Sequence, residues 1–213
     1  MLSKTHYFIL VCSSLFSILP FCLGIFLIKK LKKVLPIFYI VTVASLFEIL
    51  GFLFLNNNTI ASFTSQLYTV IEFSVLCHFY IHFFKKYFNF NFNLFYILIP
   101  IYIGASYFEF IYYPTNSIDS LAIIVESIFF IIVSLLSFVF IIKYFINDVI
   151  VDSPLFWVNS GILIYFSGNI LLFLFYEAIN PADFYLLYVY LHSVLNIIYN
   201  SLLCVSFYKS KRN

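Results

Sequence analysis

A column of polar side chains runs through one of the most apolar stretches of this 213-residue chain. Within Tyr188–Val205, His192, Asn196 and Asn200 follow one another at four-residue steps. This spacing places the three side chains on one face of an α-helix, about one turn apart. An imidazole and two amides on one face can exchange hydrogen bonds, take up a proton or bind a small polar ligand. The segment therefore predicts a helix that turns a polar face inward.

Glu48, Glu72 and Glu126 lie well inside three other apolar segments, where an ionisable group costs several kcal/mol and usually faces the interior of a helix bundle. At about 1.5 Å of rise per residue, four candidates lie roughly 8–12 Å below the outer membrane surface and two lie deeper, at about 18 Å. The shallower four are Glu48, Glu126, Asn169 and His192, and the deeper two are Glu72 and Asn196. We interpret these six residues as candidates for a binding pocket that is open to the outside.

A structural role is the alternative for the same residues. Polar side chains in helical membrane proteins often only hydrogen-bond a neighbouring helix, and each such bond contributes less than about 2 kcal/mol. For the asparagines this structural alternative is the stronger one. For the three glutamates a functional role is favoured, because burying a charge costs more than burying an amide.

The composition indicates the elements that position these residues. The chain is 64% apolar and only 9% charged, whereas soluble domains carry about a quarter charged residues. Apolar runs of about 20 residues, enough to cross roughly 30 Å of hydrocarbon as a helix, recur between short polar breaks. We predict an all-α, multi-pass membrane protein that forms a single domain over residues 1–213. Its seven predicted spans are Tyr7–Ile28, Val34–Leu55, Ile60–Phe84, Leu94–Tyr112, Leu121–Phe145, Phe156–Tyr176 and Phe184–Tyr208.

The distribution of lysine and arginine predicts the orientation of the bundle, because positive residues are retained on the cytoplasmic side. With the N-terminus outside, Lys4 is the only positive residue on the outer side, and the other ten of the 11 Lys and Arg residues lie on the inner side. We expect a cytoplasmic C-terminus in the inner membrane of a bacterial cell. The first span is expected to remain as an anchor, because its apolar stretch is long for a signal peptide and no alanine precedes Ala44.

The sixth predicted span, FWVNSGILIYFSGN, contains two pairs of small residues that are seven positions apart. The pairs are Ser160 with Gly161 and Ser167 with Gly168. Small residues at this spacing lie on one face of a helix and let a neighbouring helix approach closely. We interpret all four as helix-packing residues.

The sequence lacks the residues that several kinds of chemistry require. A retinal protein needs a buried lysine for its Schiff base, and Lys143, at the end of the fifth predicted span, is the one lysine within any span. The glutamate and histidine candidates are scattered singly, without the close ligand pairs of a zinc site. Neither a phosphate-binding loop nor a C-x-x-C motif occurs in the sequence. We therefore expect no catalytic residue, cofactor or metal, and no direct binding of nucleic acid.

The motifs FWVNSGILIYFSGN and LHSVLNIIYN, in the last two predicted spans, resemble a family of small bacterial seven-helix membrane proteins whose activity is not established. Some members look like sensor modules without an output domain. The resemblance covers approximately the second to the seventh span. It implies a receptor-like module that binds a small ligand or a proton and passes the change to a separate cytoplasmic protein partner. Membrane lipids and further copies of the chain are the other expected partners.

Two other classes of function stay open. In size, composition and the lack of a soluble domain, the chain is similar to the membrane accessory proteins encoded beside RNA-targeting CRISPR nucleases. That similarity implies an accessory or pore-type effector in antiviral defence. An intramembrane enzyme would use Glu48, Glu72 or Glu126 as acid and base. We rank the receptor-like module first and the enzyme last.

The predicted topology can be tested with reporter fusions at two positions. A fusion after Asn213 should report a cytoplasmic location, and one in the NNNT loop at Asn56 should report an outside location, because the lysine-rich breaks are retained inside. The two activities of a dual alkaline phosphatase and β-galactosidase reporter measure this directly. A C-terminus on the outer side would contradict both the orientation and a pocket that opens outward.

Overall fold

The apolar runs form α-helices, which satisfy their own backbone hydrogen bonds and therefore tolerate an apolar environment. The computed structural model describes residues 4–31, 34–53, 58–88, 95–112, 120–144, 149–174 and 180–210. Seven α-helices and two short 3₁₀ turns, at Ile28–Lys30 and Ile150–Asp152, occur within these ranges. The helices are α1 (Lys4–Leu27), α2 (Leu35–Leu53), α3 (Asn58–Phe88), α4 (Phe95–Tyr112), α5 (Ser120–Tyr144), α6 (Pro154–Leu174) and α7 (Pro181–Ser210).

The prediction of an all-α fold is confirmed for the described residues, which contain no strand. Within the described ranges, five apolar segments are long enough to cross a membrane: Val11–Lys30, Gln66–Lys86, Ala122–Lys143, Pro154–Leu172 and Leu186–Ser210. Two further apolar segments are shorter, Leu35–Leu50 in α2 and Phe95–Phe108 in α4. The predicted span ends Leu55, Leu94, Phe145 and Tyr176 lie outside the described residues, as does the loop at Asn56.

The chain divides into two compact units. The first comprises Met1–Leu35 together with Ser127–Asn213, and the second comprises Pro36–Glu126. In the first unit, α7 packs against both α1 and α6, and Phe130 of α5 lies 5.0 Å from Phe166 of α6 between ring centroids. The expectation of a single domain stays a prediction.

The second unit contains α2, α3, α4 and the beginning of α5. Here α3 packs against α4, and Phe73 stacks on Tyr102 with a centroid distance of 4.0 Å. The α2 ring of Phe47 lies 5.7 Å from Tyr68 of α3. Aromatic contacts of this kind add about 0.5–1.5 kcal/mol each to the burial of apolar area.

The glycines of α6 face α7 at close range. A Cβ atom added at Gly161 would lie 3.1 Å from the Tyr199 ring, and one at Gly168 would overlap the side chain of Leu195. Between these two positions, Tyr165 stacks on Tyr199 with a centroid distance of 5.0 Å. The absence of a side chain at Gly168 therefore makes room for a buried leucine on the neighbouring helix.

We expect Gly168→Ala to destabilise the fold, because the added methyl group would displace Leu195 from its buried position. The expected cost is about 1–3 kcal/mol, as for other overpacked cores. Gly104→Ala in α4 is the matched control, since a Cβ atom there meets nothing within 4 Å. Thermal unfolding of the purified full chain in detergent measures both variants. Equal stability of Gly168→Ala and the unaltered protein would show that α6 and α7 are not in close contact at this position.

Candidate functional site

The polar column of α7, His192, Asn196 and Asn200, begins at an imidazole held between aromatic rings. Tyr188, one turn before His192, stacks on it with a centroid distance of 5.0 Å and an interplanar angle of 8°. The Tyr165 ring of α6 lies 5.9 Å away on a tilted plane. His192 Nδ1 is 3.1 Å from Oδ1 of the buried Asn169, also on α6. Three contacts on two helices thus set the position of the ring.

The hydrogen bond to Asn169 determines which imidazole nitrogen remains available. An amide oxygen can only accept, so Nδ1 carries the proton in this bond and Nε2 of the neutral ring keeps a lone pair. Nε2 has no hydrogen-bond partner among the described residues, and His192 is partly exposed. The ring therefore presents an acceptor to a molecule that can reach it.

Asn196, one turn further along α7, connects this helix to α1. Its Nδ2 donates to Ser13 Oγ at 2.9 Å and lies 3.3 Å from the Ser13 backbone oxygen and 3.4 Å from Ser17 Oγ. Asn200 Nδ2 in turn donates to Asn196 Oδ1 at 2.8 Å. Ser13 Oγ points back to the backbone oxygen of Ser193 at 3.5 Å. A directed series of hydrogen bonds therefore runs from Asn200 through Asn196 and α1 back to α7.

The C-terminal part of α7 has polar contacts with the segment where α6 begins. Ser206 Oγ donates to the backbone oxygen of Pro154 at 2.9 Å. Lys209 forms an ion pair with Asp152, in the 3₁₀ turn that precedes α6. Together with the His192–Asn169 bond, these contacts connect α7 to the α6 region at two well-separated levels.

A second polar cluster lies in the other unit and contains Glu72 of α3 and Glu126 of α5, which we call the carboxyl pair. Tyr68 donates to Glu72 Oε1 and Tyr102 donates to Glu126 Oε2, each over 3.1 Å. The two glutamates are only 5% and 2% exposed, and they interact electrostatically. The pair is therefore buried among α3, α4 and α5.

The six predicted pocket residues are divided between the two compact units. Asn169, His192 and Asn196 belong to the unit that contains α1, α6 and α7, and Asn169 directly contacts His192. Glu72, Glu126 and the partly buried Glu48 belong to the other unit. A single pocket formed by all six residues stays a prediction. In the described ranges, no group of three or more His, Cys, Asp and Glu residues is arranged to hold a metal ion.

Four polar partners at these clusters were not among the predicted site residues: Ser13, Ser17, Tyr68 and Tyr102. Tyr68 has a recognisable signal, because it precedes Glu72 by four residues on the same helix. Ser13 and Ser17 also lie four residues apart, on α1, but no predicted site residue lies within four positions of these serines or of Tyr102.

No family model matches this chain, and neither a curated protein nor a solved structure matches it. The function is therefore inferred from the residues and their contacts.

Asn196→Leu should lower the stability of the full chain, because it removes the amide that connects α7 to α1 and the side-chain oxygen that accepts from Asn200. Interhelical hydrogen bonds of this kind contribute about 0.6–2 kcal/mol. Ser201→Ala is the control, since the exposed Ser201 donates to the Ile197 backbone oxygen of its own helix. Thermal unfolding in detergent compares them. If Asn196→Leu and Ser13→Ala had additive effects, the proposed contact between the two residues would be contradicted.

Proposed function

We propose that the protein is a receptor-like module of a bacterial inner membrane, which binds a small polar ligand from the outer side and signals through a separate cytoplasmic protein. All seven helices span the membrane in this proposal, with the N-terminus outside. His192, Asn169 and Asn196 contribute to the ligand site on α6 and α7. Glu48, Glu72 and Glu126 are the candidate polar groups in the other unit.

The observation that carries this proposal is the environment of His192. The ring is positioned by Asn169 and two tyrosines, and yet its Nε2 atom has no protein partner in the described part of the chain. A side chain that served packing alone would be expected to use both nitrogens, because an unused acceptor in an apolar environment costs free energy. The arrangement suits a ligand that donates one hydrogen bond and lies against aromatic rings.

The positions of the lysines support seven spans. Lysines occur at the C-terminal ends of four helices: Lys29 and Lys30 after α1, Lys85 and Lys86 in α3, Lys143 in α5 and Lys209 in α7. For these ends to share the cytoplasmic side, α2, α4 and α6 must each return across the membrane. The 19 residues of α2 and 18 of α4 extend about 27–29 Å, close to the roughly 30 Å of hydrocarbon.

The contacts of α7 provide a route for the signal. The helix bonds α6 at His192 and α1 at Asn196, and its C-terminal end pairs with the turn before α6 through Lys209 and Asp152. A ligand that changes the contacts of His192 would shift α7 as one rigid element. The region of Lys209 is then where a cytoplasmic partner, or a second copy of the chain, would detect the change.

Cysteine accessibility tests the ligand site. In a chain whose Cys12, Cys22, Cys77 and Cys204 are replaced by alanine, His192→Cys should react with a membrane-impermeant thiosulfonate applied to the outer side. Val194→Cys is the matched control, because Val194 lies two residues away and its side chain is exposed on the apolar surface. We expect at least tenfold slower labelling there, since thiols in hydrocarbon are not ionised.

Two results would contradict the receptor proposal. Equal protection of both cysteines would leave the His192 cluster as a packing feature. Leakage of a fluorescent dye from liposomes that contain the purified full chain would instead favour the accessory or pore-type effector, because a receptor module needs no continuous aqueous path.

A further inference from the structure

The carboxyl pair has no positively charged partner among the described residues. Glu72 and Glu126 are almost completely buried, and they are close enough to interact electrostatically. Neither forms an ion pair with a lysine, arginine or histidine in the part of the chain that the structure describes. Two neighbouring buried carboxylates repel each other, and an environment with few polar groups does not solvate either of them well.

Only one of the two carboxyl oxygens of Glu126 accepts a hydrogen bond from the described residues. Its Oε2 accepts from Tyr102 at 3.1 Å, but its buried Oε1 has no partner among the described residues. An ionised carboxylate has about four acceptor sites, so a single donor leaves most of its charge without compensation. A protonated carboxylic acid needs fewer donors, because its Oε1 would carry the proton while Oε2 still accepts from the tyrosine.

A buried serine near the carboxyl pair also lacks an ordinary hydrogen bond. The Ser106 hydroxyl of α4 lies beside the Tyr102 hydroxyl, is buried and forms no hydrogen bond of ordinary geometry with the described residues. Buried polar atoms without a partner are uncommon and usually indicate an ion, a water molecule or a functional role. Ser106 Oγ and Glu126 Oε1 are two such atoms, and both of their residues neighbour Tyr102.

We propose that the carboxyl pair is a proton-binding site and that Glu126 carries its proton at neutral pH. The titratable groups around it are Glu72 and Cys77 on α3 and Tyr102 on α4, all of which interact with Glu126. The bound proton neutralises the charge at the point where α3, α4 and α5 meet. This inference does not rest on a ligand at His192, because that residue belongs to the other unit and is tested with different variants.

Infrared spectroscopy of the full chain in liposomes at pH 7 tests the proposal. A protonated carboxyl group gives a C=O stretching band that shifts in D₂O, and the unaltered protein should show it. Glu126→Gln should abolish this band, whereas Glu72→Gln should retain it. Asp152→Asn is the control and should leave the band unchanged, because Asp152 is exposed and paired with Lys209. Absence of the band from the unaltered protein, or its loss only in Glu72→Gln, would overturn the proposal.

Thermal unfolding distinguishes a bound proton from a bound alkali cation. Glutamine has the shape and neutrality of a protonated glutamate, so the unfolding temperature of Glu126→Gln should lie within about 2 °C of that of the unaltered protein. A loss of about 1 kcal/mol in the free energy of unfolding would lower it by more than this. The exchange of choline chloride for sodium chloride should also leave the unfolding temperature unchanged. Failure of Glu126→Gln to fold, or stabilisation by sodium that Glu126→Gln loses, would show that the site requires a charged carboxylate and not a proton.

Discussion

Polar side chains in an apolar helix must find their hydrogen-bond partners within the protein, and this constraint explains most of the specific contacts of the chain. Where no water is available, an unmade hydrogen bond costs more than a made one contributes. The amide of Asn196 satisfies this requirement on α1, at Ser13, and the imidazole of His192 satisfies it on α6, at Asn169. Helix α7 is therefore held in register with two neighbours by hydrogen bonds. Between α6 and α7, stacked tyrosines fill the interface and the glycines of α6 allow the close approach of α7.

The same constraint is incompletely satisfied at several positions, and the functional proposals rest on two of them. His192 leaves Nε2 without a partner, and Glu126 leaves Oε1 without one, in the ranges that the structure describes. These two cases differ in burial. The partly exposed histidine can be approached by a molecule from outside the protein, whereas the almost fully buried glutamate suits a ligand as small as a proton. Exposure, more than residue type, separates a candidate recognition site from a candidate protonation site.

Helices could be predicted from the sequence because apolar runs of about 20 residues are a strong signal. Their bounds were less predictable: α3 continues to Phe88, past the lysines at which the predicted span ends, because Lys85 and Lys86 are compatible with a helix. The depths below the outer membrane surface that the sequence predicts for Asn169 and His192 are similar, and the two side chains form a hydrogen bond. The partners of Asn196 could not be predicted, since Ser13 lies 183 residues away and the apolar surface around α1 does not reveal which face meets α7.

Energies limit how a ligand at His192 can act. A donor to Nε2 polarises the imidazole and strengthens its bond to Asn169 by about 10–30%, which is only about 0.1–0.3 kcal/mol for a bond worth roughly 1 kcal/mol. Allosteric coupling between sites typically needs about 1–3 kcal/mol, so polarisation alone is too weak. Movement of α7 that breaks the contacts of Asn196 with Ser13 and Ser17 would change two interhelical bonds together and reach that range. The contacts between α7 and α1, not the bond that the ligand touches, are therefore the element whose rearrangement would set the response.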